Sequence, residues 1–195
     1  MNLSQLRSGL SVRFTQPVAR LLARAGVSPN ALSISGFIIN LGAGAVIAEG
    51  SLFWGGVLVL FSALFDLMDG ALARASNKVT TFGGILDSTL DRLSEAVVLL
   101  GVLILYLQEP NVLGGVLVYL CIAGSLLVSY IKARGEGAGL KCNVGIFTRA
   151  ERVVALVLGL LLNQVVIALL VIGFLSYYTA AQRLTYLYQQ TQKKD

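Results

Sequence analysis

Apolar residues fill long, nearly unbroken runs of this chain, and polar residues gather between them. The runs cover about 31–49, 52–72, 84–107, 111–131, 147–162 and 164–187. Most approach the roughly 20 residues that an α-helix needs to cross a bilayer. Asn163 separates the last two runs, so the economical reading is a hairpin over 150–187 with its tip at Asn163-Gln164. Residues 3–24 have a different pattern: Leu3, Leu6, Leu10, Phe14, Val18, Leu21 and Leu22 interleave with Arg7, Arg13, Arg20 and Arg24. This pattern predicts a basic amphipathic helix lying in the headgroup plane, kinked or split at Pro17. Gly26-Val-Ser-Pro29-Asn30 reads as a turn, with Pro29 biasing Ser28 away from helix and opening the next element. The expected fold is an all-α integral membrane protein. It is a single membrane domain over 1–195, with six transmembrane helices preceded by an N-terminal amphipathic juxtamembrane helix.

Composition agrees. Of 195 residues, 56% are hydrophobic and 13% charged, and the mean hydropathy is +0.79. A soluble domain of this size cannot hide that much apolar surface, so the bilayer must act as solvent. The polar, basic N-terminal stretch does not read as a cleaved signal. With six spans and both termini inside, every lysine and arginine falls at the cytoplasmic side, as the positive-inside rule requires. The opposite loops hold Glu49, Glu109 and the neutral Asn163-Gln164 tip. The expected location is the cell (inner) membrane, with no nucleic-acid partner. Cys121 lies mid-span and Cys142 in a polar loop, so neither reads as a disulfide partner or metal ligand. The chain has no histidine, which leaves carboxylate, lysine or tyrosine as a general base.

Chemistry concentrates between residues 66 and 91. Asp66 and Asp69 are three apart, and Asp87 and Asp91 are four apart, so helical pairs would each share one face. The stretch from Ser76 to Gly84 is a plausible turn, returning the second helix antiparallel to the first with the carboxylates facing. Four acids crowded at a membrane boundary repel one another unless cations hold them. Magnesium takes oxygen ligands and bridges carboxylates to phosphates, so the arrangement predicts a metal site. Gly70 and Ala73 leave a ligand room to approach the helix backbone, and Arg74 supplies a fork suited to phosphate. A lone Asp-x-x-Asp would read more simply as an interfacial charge network. A second basic cluster comprises Lys132, Arg134, Lys141, Arg149 and Arg152, with Arg183 near the end of the last span. Any one of these could be an anchor facing anionic lipid, but Lys132, Arg152 and Arg183 come from three helix ends that could converge on one anion.

The string Asp66-x2-Asp69-Gly70-x2-Ala73-Arg74-x8-Gly83-x3-Asp87-x3-Asp91 resembles the signature of the CDP-alcohol phosphotransferases, with every position met. The resemblance extends to the six-span layout and the Ser-Pro-Asn start of the first span. It implies that Asp66, Asp69 and Asp87 hold two Mg2+ or Mn2+ ions. Asp91 would act as catalytic general base and also touch a metal. CDP-diacylglycerol would be bound by Pro29, Asn30, Asp66, Asp69, Gly70, Ala73, Arg74 and Thr80. Homodimerisation is implied by the family alone.

Ser129-Tyr-Ile-Lys132-Ala-Arg134-Gly-Glu136 and Asn143-Val-Gly145-Ile-Phe-Thr-Arg149-Ala-Glu151-Arg152 resemble the bacterial phosphatidylinositol phosphate synthase branch and its archaeal relatives. The acceptor implied is inositol 1-phosphate, with its phosphate gripped by Lys132, Arg152 and Arg183. A phosphorylated acceptor calls for such cations, whereas free inositol, serine or choline does not need three. Gly135 stands where this pattern has alanine. The alternative branch, phosphatidylglycerophosphate synthase, typically carries an arginine soon after Pro-Asn, and Leu32-Ser-Ile-Ser-Gly36 has none. A small ion carrier, the remote alternative, would spread its acids across the midplane rather than gather them at one face.

Overall fold

The computed structural model describes Leu21, residues 25–75 and residues 80–192, with the backbone alone at residues 74 and 75. The amphipathic helix predicted over 3–24 therefore lies outside the described residues, apart from Leu21, which is helical. The described residues form six helices and no strand. They are α1 (Pro29–Ala48), α2 (Leu52–Ala75), α3 (Thr81–Gln108), α4 (Val112–Gly137), α5 (Arg149–Leu161) and α6 (Val165–Thr191).

Local chemistry sets the helix starts. Ser28 stays extended and its hydroxyl accepts from the Ala31 N–H at 3.2 Å, with Pro29 opening α1. Thr80 is likewise extended and accepts from the Gly83 N–H at 3.0 Å. At α5 the Thr148 N–H donates to the Glu151 carboxylate at 2.8 Å, the return half of a capping box. Gly50 (φ +87°) turns α1 into α2, and Asn163 (φ +55°) turns α5 into α6. The break thus falls where Asn163 interrupts the apolar pattern.

Four helices, α1, α2, α4 and α6, are long and apolar enough to cross a membrane. The other two depart from that standard for different reasons. α3 has 28 residues, but Asp87, Asp91, Arg92 and Glu95 all fall within its first fifteen. α5 has 13 residues, a length of about 20 Å against the roughly 30 Å of bilayer hydrocarbon. The expected run 147–162 is longer because it takes in Phe147, which belongs to the preceding loop, and the capping residues Thr148 and Leu162. Phe61, Leu64, Leu100, Leu107, Leu126, Leu127 and Phe174 are all exposed. So many large apolar side chains facing outward on several helices suit a lipid-facing surface. The chain is a multi-pass membrane protein.

α1 packs on both α2 and α3, α4 on α3 and α6, and α5 on α2 and α6. The main core includes Ala43, Ile47, Val59, Val98, Leu99, Val102, Val118, Leu160, Leu169 and Ile172. Asn40 Nδ2 donates to Ser62 Oγ at 2.7 Å, and that hydroxyl donates to the Gly36 carbonyl at 2.9 Å. These bonds satisfy polar groups where α1 meets α2. α1 and α3 touch backbone to backbone: a Cβ at Gly101 would lie 2.3 Å from the Gly44 carbonyl oxygen. Gly101→Ala is therefore expected to destabilise the protein by about 1–3 kcal/mol, measured by unfolding in mixed micelles. Unchanged stability would show that the two helices can separate freely there.

Candidate active site

The N-termini of α1 and α3 and the C-terminal part of α2 enclose an open cavity of about 350 Å³. Pro29, Asn30 and Ser33 come from α1, Asp69, Gly70 and Ala73 from α2, and Gly83, Gly84 and Asp87 from α3, with its cap Thr80. Unpaired N–H groups at helix N-termini favour anions, so two of them bordering one cavity suit a phosphate-bearing ligand. Six residues assigned from sequence to the CDP-lipid (Pro29, Asn30, Asp69, Gly70, Ala73 and Thr80) line this space together. The Arg74 side chain lies outside the described residues.

The four aspartates divide into two settings. Asp69 and Asp87 line the open cavity. Asp69 is buried and its Oδ2 accepts from Ser33 Oγ at 2.8 Å. Asp66 and Asp91 instead share one guanidinium: Arg149 Nη2 lies 2.6 Å from Asp66 Oδ2 and 3.0 Å from Asp91 Oδ1. Arg92 stands 3.8 Å from the other Asp91 oxygen. Asp66 Oδ1 rests against Gly36, where an added Cβ would approach to 3.2 Å. Arg149 is brought in by the first turn of α5. On sequence it read as one more anchoring cation, and nothing local marks its partners 83 and 58 residues away.

Among the described residues no three acidic or thiol side chains form a ready-made cation cage. The donor set nonetheless fits a hard divalent ion in kind. Carboxylate oxygens from two helices converge on a cavity, and Arg149 already occupies the oxygens of Asp66 and Asp91 as a positive charge would.

The acceptor residues assigned from sequence are placed separately. Arg152 is buried, its Nε 2.6 Å from Glu95 Oε1 and its Nη2 2.9 Å from Glu95 Oε2. Ser125 also donates to Glu95, at 2.8 Å. Arg152 Nη1 is buried without a hydrogen-bond partner. Arg183 is buried too, donating from Nε to the Val144 carbonyl at 3.0 Å and from Nη1 to the Val128 carbonyl at 2.6 Å. Lys132 is half-exposed and 3.7 Å from Glu136. Arg183 thus ties α6 to α4 and to the loop before α5. A Cβ at Gly135 would fall 2.8 Å from the Leu187 methyls, so the tip of Leu187 would have to shift to admit alanine.

Glu95 had no assigned role, because its partners are distant in sequence. The Arg152 and Glu95 side chains are only 3% and 9% exposed, so breaking this pair strands a buried charge. Glu95→Ala is expected to cost about 3–5 kcal/mol in an unfolding titration. A loss under about 1 kcal/mol would rank it with surface ion pairs.

An all-helical membrane protein whose acidic cluster opens on an anion-suited cavity has the layout of a membrane transferase acting on phosphate groups. Residues 26–181 match the family described as CDP-alcohol phosphatidyltransferase, and the chain belongs to that family of phospholipid-biosynthesis enzymes. It is 35% identical over 184 residues to an archaetidylinositol phosphate synthase of Methanothermobacter thermautotrophicus, covering 91% of this chain and 90% of that one. It is 38% identical over 152 residues to a phosphatidylinositol phosphate synthase of Mycolicibacterium smegmatis, covering 76% and 68%. The crystal structure of the Mycobacterium tuberculosis phosphatidylinositol phosphate synthase with CDP-DAG bound superposes with a TM-score of 0.82 at 31% identity, over 90% of this chain and 94% of that one. The same enzyme in complex with manganese and citrate gives 0.81, at 31% identity, over 89% and 88%.

Proposed function

We propose that this enzyme transfers a phosphatidyl group from CDP-diacylglycerol to an inositol phosphate, releasing CMP. The observation that carries this reading is the cavity at the α1 and α3 N-termini, lined by six of the residues assigned to the CDP-lipid, Asp69 among them, and by Asp87. A structural neighbour with CDP-DAG bound and relatives named for inositol phosphate lipids support it.

Asp66, Asp69 and Asp87, with Asp91 at the margin, would hold two Mg2+ or Mn2+ ions. Such ions, when bound, neutralise a diphosphate and polarise its phosphorus. The manganese in the structural neighbour supports a divalent ion of this kind. Gly70 and Ala73 let the donor approach α2, and the first turns of α1 and α3 face its negative charge. Asp91 takes the proton of the acceptor hydroxyl. The oxygen attacks the phosphorus attached to diacylglycerol, the phosphorus–oxygen bond to CMP breaks, and CMP carries away the electron pair. Lys132, Arg152 and Arg183 grip the acceptor phosphate. Around this site the chain is one membrane domain with six spans, α5 and α6 forming a hairpin. Both termini and the site are cytoplasmic, the protein lies in the cell membrane, and it works as a homodimer.

The test is CMP release by purified protein given CDP-diacylglycerol and either inositol 1-phosphate or glycerol 3-phosphate. The Methanothermobacter relative aligns over most of both chains and is named for an archaetidyl product, so the assay also includes the archaetidyl counterpart of the donor. Release that depends on inositol 1-phosphate supports the proposal. Release that ignores it and follows glycerol 3-phosphate moves the enzyme to the phosphatidylglycerophosphate branch.

A further inference from the structure

Arg149 touches two of the carboxylates that the proposed function assigns to divalent ions. A single nitrogen, Nη2, lies within hydrogen-bond reach of both Asp66 on α2 and Asp91 on α3. The arginine thus joins two helices that otherwise bring like charges together. Its Nε is buried and has no hydrogen-bond partner, and its hold on the two carboxylates runs through that one Nη2, whereas Arg152 grips the single Glu95 carboxylate with two nitrogens. A cavity of about 30 Å³ adjoins it, lined by Asp66, Glu95, Arg149 and Arg152 among others.

From this geometry we infer that Arg149 is an exchangeable counter-cation: it holds Asp66 and Asp91 together when no ion is bound, and yields their oxygens to a divalent ion. The inference rests on the metal site proposed above and adds a residue outside the family's acidic signature. Arg149 and a divalent ion would draw on the same two carboxylates, Asp66 and Asp91, so the two compete. The guanidinium lowers apparent ion affinity, and the ion frees a cation beside the phosphates it draws in. A residue serving only as a structural brace would behave differently, weakening the fold equally with and without ion and leaving ion affinity unchanged.

The experiment uses the full-length protein in detergent, stripped with EDTA and titrated with Mn2+. Free ion is read by electron paramagnetic resonance and stability by thermal unfolding. Arg149→Gln is expected to bind Mn2+ roughly tenfold more tightly, about the effect of losing one charge-assisted competitor. It should melt lower than wild type in EDTA and gain more on adding Mn2+. Arg149→Lys keeps the charge but loses the planar fork, so its affinity should fall between the two; this variant carries the test if the glutamine protein does not fold. Unchanged or weaker Mn2+ affinity in the variants overturns the exchange while leaving the metal site standing. Failure of wild type and variants alike to bind Mn2+ overturns both.

Discussion

Asp91→Asn is expected to lower turnover by roughly a thousandfold, within the range a positioned general base contributes, while leaving CDP-lipid binding largely intact. The amide has the shape of the carboxylate but cannot accept the proton of the attacking hydroxyl. Asp91 does not line the cavity in which the CDP-lipid is placed, so ground-state binding has little reason to change. Nor should the fold be lost, because Arg149 keeps its 2.6 Å contact to Asp66 when the 3.0 Å contact to Asp91 weakens. Transfer rate and donor affinity measured on the same preparation separate the two effects. Near-normal turnover would remove Asp91 from its role, and a parallel loss of donor binding would make it chiefly a ligand.

Asp66→Asn should behave differently, because Asp66 is assigned to hold an ion rather than move a proton. Ion affinity and CDP-lipid affinity are expected to fall together, since the donor diphosphate is held partly through the ions. Turnover should drop by at least about a hundredfold, the upper end of what losing a supporting partner costs. Titrating Mn2+ into the variant, then CDP-lipid at saturating Mn2+, distinguishes the causes. Donor binding restored by excess Mn2+ confirms that Asp66 acts through the ion. Normal Mn2+ affinity in the variant would contradict the assignment.

The acidic motif was legible because its information is local. Spacings of three and four place carboxylates on helix faces, and small residues beside them leave a ligand room. Caps at Ser28 and Thr80 are likewise written in neighbouring residues, and six of the eight residues assigned to the CDP-lipid line one cavity, Asp66 standing apart from it and the Arg74 side chain lying outside the described residues. The cationic side was harder to read. Arg149, Arg152 and Arg183 each look like basic residues near a helix end. Their partners (two aspartates, Glu95 and two backbone carbonyls) are set by how α2 to α6 and the loop before α5 pack. The span count shows a similar limit. Hydropathy marks α1, α2, α4 and α6, but α3 trades apolarity for the site it carries. α5 starts at Arg149 rather than 147 because Phe147 belongs to the loop over 138–148, which Arg183 holds at Val144. One local signal was passed over: Thr148-x-x-Glu151 is a capping-box pattern that places the start of α5 at Arg149.

The most direct measurement is anomalous scattering from crystals of the protein grown with Mn2+. Two manganese peaks between α2 and α3, within bonding distance of Asp66, Asp69 and Asp87 oxygens, are the predicted result. Manganese bound elsewhere, or its absence from that carboxylate cluster at saturating ion, would contradict the account.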